Sequence, residues 1–205
     1  MKSTLSLLLA AGLLAISSGV QSATPDAKID KPAPNFTLPD THHKTHSLAD
    51  YRGKFVVLEW VNFGCPFVRK HYNSGNMQKL QKMYTQKGVV WLSICSSAPG
   101  KQGYFKPEKI NQMLKEKGAS PTAYLLDPEG IVGKKYGAKT TPHIFVINPK
   151  GILIYAGGID DKPTTKLKDI KTAHNYLVAA LDAAMAGKPV PVKTARPYGC
   201  SVKYK

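Results

Sequence analysis

Cys65 stands where a chain could make a reactive thiol. It follows the apolar run Phe55 to Val61 and the turn Asn62-Phe63-Gly64, and Pro66 comes directly after it. Proline suits the first position of a helix, so Cys65 is the expected N-cap residue. Unpaired amide N–H groups and the macrodipole at a helix start stabilise a thiolate, and the thiolate is the nucleophile. Arg69 lies one helical turn on, followed by Lys70 and His71; their charges would lower the thiol further if the side chains turned back. The carboxyl end of a central strand is also where open α/β sheets keep their sites. The alternative is a small buried cysteine that packs as a core hydrophobe.

Cys95 and Cys200 are the other two cysteines, which exclude a disulfide-stapled miniprotein. Cys95 ends an apolar run and reads as an inert core thiol, with a Cys65–Cys95 bridge as the alternative. His42, His43 and His46 lie in a polar loop without an accompanying cysteine or acid cluster. They read as a solvated turn, and a weak copper or zinc site is the alternative. No metal and no cofactor is expected. His174 falls on the apolar side of the last expected helix, and no role is assigned to Asp160-Asp161.

The elements that must position Cys65 follow from the apolar pattern. Phe55 to Val61 and Val89 to Cys95 are continuous runs, as in strands buried on both faces of a parallel sheet. Asn35 to Leu38 and Ala123 to Leu126 are shorter strands. His143 to Asn148 and Ile152 to Ala156 flank a hairpin turn at Asn148-Pro149-Lys150-Gly151. Helices are expected from Pro66 to Gln86, interrupted near Asn73-Ser74-Gly75, from Pro107 to Lys117, and from Lys166 to Ala186. This order gives one α/β domain with a central mixed β-sheet flanked by helices.

The chain has 205 residues and a formal charge of +16, from 29 Lys and Arg against 13 Asp and Glu. The lysines are scattered, and the only arginines are Arg52, Arg69 and Arg196, so no basic stripe points to nucleic acid. Lys2, the apolar stretch Leu5 to Ile16 and the small residues up to Ala23 read as a signal peptide over 1–23. The expected organisation is the α/β domain over 24–187 and a Pro- and Lys-rich tail over 188–205 that carries Cys200. The expected place is outside the cytoplasm, in a bacterial periplasm where disulfides persist. No integral membrane segment is expected in the mature chain.

Phe55 to Val68, with Glu59 six residues before Cys65, resembles the active-site strand, turn and helix of the thioredoxin superfamily. Thr140-Thr141-Pro142 resembles its cis-proline loop. The resemblance spans roughly Ala33 to Met185 and is nearest to exported redoxins of the alkyl hydroperoxide reductase/thiol-specific antioxidant group. It rests there on Gly64-Cys65-Pro66-Phe67-Val68, on Ser96 to Gly103 and on Pro197-Tyr198-Gly199-Cys200. Two positions depart from the pattern. Val68 stands where a thioredoxin Cys-x-x-Cys has its second thiol, and Asn62 stands where a peroxiredoxin has its peroxide-activating Thr.

The resemblance implies a thioredoxin-like fold and thiol redox chemistry. Cys65 would attack a peroxide or a disulfide, and an external thiol would regenerate it. Glu59 would be the buried proton acceptor, paired or raised in pKa, with a lysine salt bridge as the alternative. Pro142 would be cis. Cys200, on a flexible tail, would resolve oxidised Cys65, or else pair between molecules or stay idle. Asn62 could donate a hydrogen bond in place of the missing Thr. A monomer or weak oligomer is expected. The rival readings are a non-catalytic thioredoxin-fold binding module and a copper-handling envelope protein.

Overall fold

The computed structural model describes residues 26–205. The expected leader over 1–23 lies outside the described residues. A five-stranded sheet runs in the order β5-β4-β3-β7-β8. Its strands are β3 (Val56–Trp60), β4 (Val90–Cys95), β5 (Ala123–Leu126), β7 (His143–Ile147) and β8 (Leu153–Gly157). β3, β4 and β5 are parallel, while β7 runs antiparallel to β3 and β8 antiparallel to β7. The sheet is therefore mixed, and β3, which leads into Cys65, is a central strand. Every residue of β3 and β4 is buried, which explains their near-continuous apolar sequence.

Alternation along β3 sends Val57 and Glu59 to one face, where Val61 follows, and Leu58 and Trp60 to the other. The first face is covered by α1 (Pro66–Asn73), α2 (Asn76–Gln86), α3 (Pro107–Lys117) and α5 (Tyr176–Met185), through side chains such as Tyr72, Leu80, Ile110 and Leu177. The second is covered by α4 (Ile131–Tyr136) and by the hairpin of β1 (Thr37–Pro39) and β2 (Thr45–Ser47). The break expected inside the first long helix falls at Ser74-Gly75, where Gly75 takes φ +73°. No helix among the described residues is long and apolar enough to cross a membrane.

The helix expected from Lys166 to Ala186 is instead two elements. Leu167–Thr172 forms a 3-10 turn, and α5 begins only after Asn175, whose side chain accepts the Val178 N–H at 3.0 Å. Asp161 holds the chain extended between them: its backbone N–H donates to the His174 carbonyl, and its carboxylate accepts the His174 N–H. As a result Leu167 and His174 are exposed rather than on a buried helical face.

The tail is seated, not loose. Thr194 bridges to Ala156 at the sheet edge, and Val202 is buried with the second core. Cys200 and Ser201 form a short strand, β9, antiparallel to β6 (Thr140–Thr141).

Candidate functional site

Three segments distant in sequence converge on Cys65: the β3–α1 turn, the β6–Pro142 loop and the tail. Cys65 is the N-cap of α1 with Pro66 at the first helical position, as expected. Its side chain is fully buried, and its Sγ donates to the Thr141 carbonyl oxygen at 3.0 Å. The Thr141–Pro142 peptide bond is cis, as the resemblance implies. The pairing of β6 with β9 sets Cys200 opposite Thr141, the residue whose carbonyl takes the Cys65 thiol, and so brings Cys200 beside Cys65.

The environment separates the two thiols electrostatically. Burial opposes ionisation of Cys65, but hydrogen bonds outweigh it and lower its pKa. They come from the Cys200 thiol, the backbone N–H groups of Val68 and Cys200, and the Thr141 hydroxyl. Thr141 Oγ1 is buried with no partner while Cys65 is a thiol, so it stands ready as a donor to the thiolate. Burial, then the neighbouring Cys65 sulfur and its charge, push Cys200 up to about 11. Cys65 is therefore the first of the two to ionise. Cys200 is half-buried and the more accessible of the two.

The basic residues after Cys65 do not turn back to it. Arg69 is exposed, and its charge acts on Cys200. Lys70 and His71 are fully buried and face Asp160 and Tyr198. Tyr198 donates its hydroxyl proton to Asp160 Oδ1 at 2.5 Å, and Lys70 Nζ lies 3.6 Å from Asp160 Oδ2 and donates to the Lys162 carbonyl at 2.7 Å. Asn76 Nδ2 donates to His71 Nδ1, which leaves Nε2–H to donate to the Tyr198 oxygen at 3.1 Å. This cluster ties α1 to the segment two residues before Cys200. Nothing in the sequence points to this role for Asp160, because a Gly-Gly-Ile-Asp-Asp loop gives no sign of a distant lysine.

Two neutral histidines give a pH signature. Burial, then the Lys70 charge, lower His71 to about 3, and burial with the Lys139 charge lowers His143 to about 3. An unfolded histidine titrates near 6.5, so below that pH the unfolded chain binds more protons than the folded one. The stability these residues contribute is complete above pH 6.5 and is lost as pH falls toward 3. The raised carboxyls of Glu59 and Asp127 act oppositely: each stabilises the fold at low pH, and that contribution is lost as pH rises from the ordinary carboxylate range through its folded value. The diagnostic is therefore a difference between variants. Between pH 7 and pH 5, urea unfolding should show the wild type losing about 2 kcal/mol more than His71→Gln. Equal losses would mean that His71 is not held neutral.

Glu59 is fully buried and held by neutral donors. Its carboxylate accepts from Tyr72 Oη at 2.8 Å, Trp91 Nε1 at 2.8 Å, Ser93 Oγ at 3.0 Å and Gln81 Nε2 at 3.2 Å. Burial nonetheless pushes its pKa up. The alternative of a lysine salt bridge is thereby overturned. Tyr72 packs edge-on against Phe63 of the Cys65 turn, with ring centroids 5.1 Å apart.

Asn62 braces the turn rather than facing the thiol. Its Oδ1 accepts the Gly64 N–H at 2.8 Å, and its Nδ2 donates to the Gln102 carbonyl at 3.2 Å. Cys95 Sγ donates to the Gly103 carbonyl at 3.4 Å on the far side of that loop. His46 is buried against Asp40 at 2.8 Å, while His42 and His43 are exposed, so the three imidazoles are split between environments. Among the described residues no group of three or more His, Cys, Asp or Glu side chains could hold a metal ion.

A central mixed sheet flanked by helices, with a helix-capping cysteine beside a cis-proline, defines a thioredoxin-like fold. The thioredoxin domain of a thiol-disulfide oxidoreductase from Bacteroides vulgatus superposes with a TM-score of 0.51 at 18% identity, over 71% of this chain and 96% of that one. The model of the AhpC/TSA family matches residues 29–156, more than half of the sequence, and the chain belongs to that family. An uncharacterized conserved protein from Geobacillus kaustophilus is similar over 87% of this chain and 93% of its own, with a TM-score of 0.72 and 29% identity. Among curated proteins, the thiol-disulfide oxidoreductase ResA of Geobacillus thermodenitrificans is 28% identical over 120 residues, 58% of this chain. The match spans 63% of that relative's length, less than two thirds.

Proposed function

We propose that this chain is an exported thiol–disulfide oxidoreductase in which Cys65 is the nucleophile and Cys200 the resolving thiol. The observation that carries the reading is the meeting of the two thiols at Thr141, whose carbonyl takes the Cys65 thiol and which pairs with Cys200 across β6–β9, with the lower pKa on Cys65. The Cys65 thiolate displaces one half of a disulfide and forms a mixed disulfide. Cys200 then displaces the other half, leaving a Cys65–Cys200 bridge that an external thiol reduces. In the reverse direction the half-buried Cys200 sulfur is the accessible point of attack, and Cys65, the better leaving group, departs as thiolate. Glu59 fills the proton-holding role implied by the resemblance. The similarity to ResA favours disulfide exchange, and so do the commitments of Asn62, whose amide is engaged with Gly64 and Gln102 and is not free to polarise a peroxide.

Peroxide is the second substrate the family admits, and the two are separated by rate. The fully reduced chain should react with a low-mass disulfide through Cys65 in preference to Cys95 and Cys200, because Cys65 is the thiol whose pKa is lowered. With hydrogen peroxide it should react no faster than an ordinary thiolate, because the Asn62 amide is engaged and does not polarise the peroxide. Rapid formation of sulfenic acid at Cys65, with sluggish disulfide exchange, would reverse the assignment and make the chain a peroxidase.

A further inference from the structure

The strand edge beside the nucleophile is β6, and Thr141, its second residue, accepts the Cys65 thiol. An open edge next to a reactive sulfur is a template on which an extended peptide can pair through its backbone. Here the chain's own tail takes that place, with Cys200 opposite Thr141 and Ser201 opposite Thr140. The fit is close. Gly199 has φ +135°, and a Cβ there would lie 2.1 Å from the Thr141 carbonyl oxygen, so only glycine lets the tail approach.

Both flanks hold the strand down. Upstream, Tyr198 is fixed by Asp160 and His71. Downstream, the Val202 N–H donates to the Lys139 carbonyl at 3.1 Å, and the Ala98 N–H donates to the Lys203 carbonyl at 2.8 Å. Tyr204 donates to the Ala138 carbonyl at 2.7 Å and lies over Gly130 and Gly133, where a Cβ would collide with its ring. With the tail in place Cys65 has no exposed surface.

We propose that β9 is a specificity-determining strand: by occupying the edge that an extended polypeptide would need, it restricts Cys65 to low-mass disulfides that slip in on local opening. This rests on the exchange reading above and names its substrate class. A polypeptide disulfide must first displace the whole strand, so its apparent rate is reduced by the small fraction of molecules whose tail is open.

The test uses the full chain carrying Cys200→Ser, in which the reaction stops at the first step. The Cys65 thiolate attacks a probe disulfide, its S–S bond breaks, a Cys65 mixed disulfide forms, and one aromatic thiolate leaves. The two probes are a symmetrical low-mass aromatic disulfide and a short extended peptide joined through its cysteine to the same aromatic thiol. The expected rate with the peptide is lower by about tenfold or more. Gly199→Val, which forces β9 off β6, should raise the ratio of peptide to low-mass rate by about tenfold. Tyr204→Ala, which loosens the tail by removing a half-buried ring, should raise the same ratio and serves where the first variant folds poorly. Amide exchange at Val202 reports that the tail has been freed. Equal rates for the two probes, or an unchanged ratio once Val202 is freed, would overturn the proposal. A Cys65 inert to both probes would overturn the exchange reading itself, and the proposal with it.

Discussion

Replacing Cys65 with Ser is expected to lower the rate of disulfide exchange by a factor on the order of a thousand or more, because it removes the atom that bonds to substrate. The fold should survive. Serine caps helices well, and its hydroxyl can donate to the same Thr141 carbonyl that the thiol uses, so the cost should be about 1 kcal/mol or less. Cys200→Ser should behave differently. It leaves the first attack in place but lets the Cys65 mixed disulfide accumulate, so a burst of one equivalent should be followed by slow turnover. Rate measurements with far-ultraviolet circular dichroism on the same samples check both variants. A folded Cys65→Ser chain with undiminished exchange would remove Cys65 from the mechanism.

The second large effect lies away from the sulfur. Asp160→Ala should destabilise the protein by about 3–5 kcal/mol, because it leaves the Lys70 ammonium buried without its counter-charge. Tyr198 would also lose the carboxylate that accepts its proton, and with it the anchor of the tail upstream of Cys200. Adding Lys70→Met should restore part of the loss, since the double variant no longer buries an unpaired charge. Urea unfolding of the two single variants and the double variant gives the coupling energy. A loss within about 1 kcal/mol for Asp160→Ala would show that the Lys70–Asp160 pair does not hold the fold in the way described.

The sheet and the nucleophile were legible because each rests on local pattern. Continuous apolar runs gave β3 and β4, and Pro66 after a strand-end turn marked Cys65 as the helix cap. Short or tertiary features were not legible in this way. α4 spans six residues and contains Gly133, too few to show a helical period. The apparent helix from Lys166 broke because Asp161 and Asn175 capture backbone groups that a continuous helix would have used, and periodicity carries no sign of that competition. β6 and β9 are two residues each and exist only because the tail returns to the cis-proline loop.

The same distinction runs through the site. Cys65, Glu59 and Pro142 lie where the motif resemblance puts them. Cys200 reaches Cys65 on a docked strand instead of swinging in from solvent. Lys70 and His71, adjacent to the site in sequence, serve the Asp160 cluster, because one turn of helix points them away from the cap. Thr141 was visible as part of Thr-Thr-Pro, but the value of its unpartnered hydroxyl to a thiolate emerges only once β6 is placed against Cys65.

The central claim is that Cys65 and Cys200 form one redox couple, and the most direct measurement is a disulfide map of the protein after limited oxidation. Reduced chain treated with one equivalent of a low-mass disulfide, then alkylated and digested, should yield the Cys65–Cys200 cross-linked peptide, with Cys95 recovered as the alkylated thiol. A Cys65–Cys95 bridge, or Cys65 joined to a second molecule while Cys200 stays free, would contradict the account.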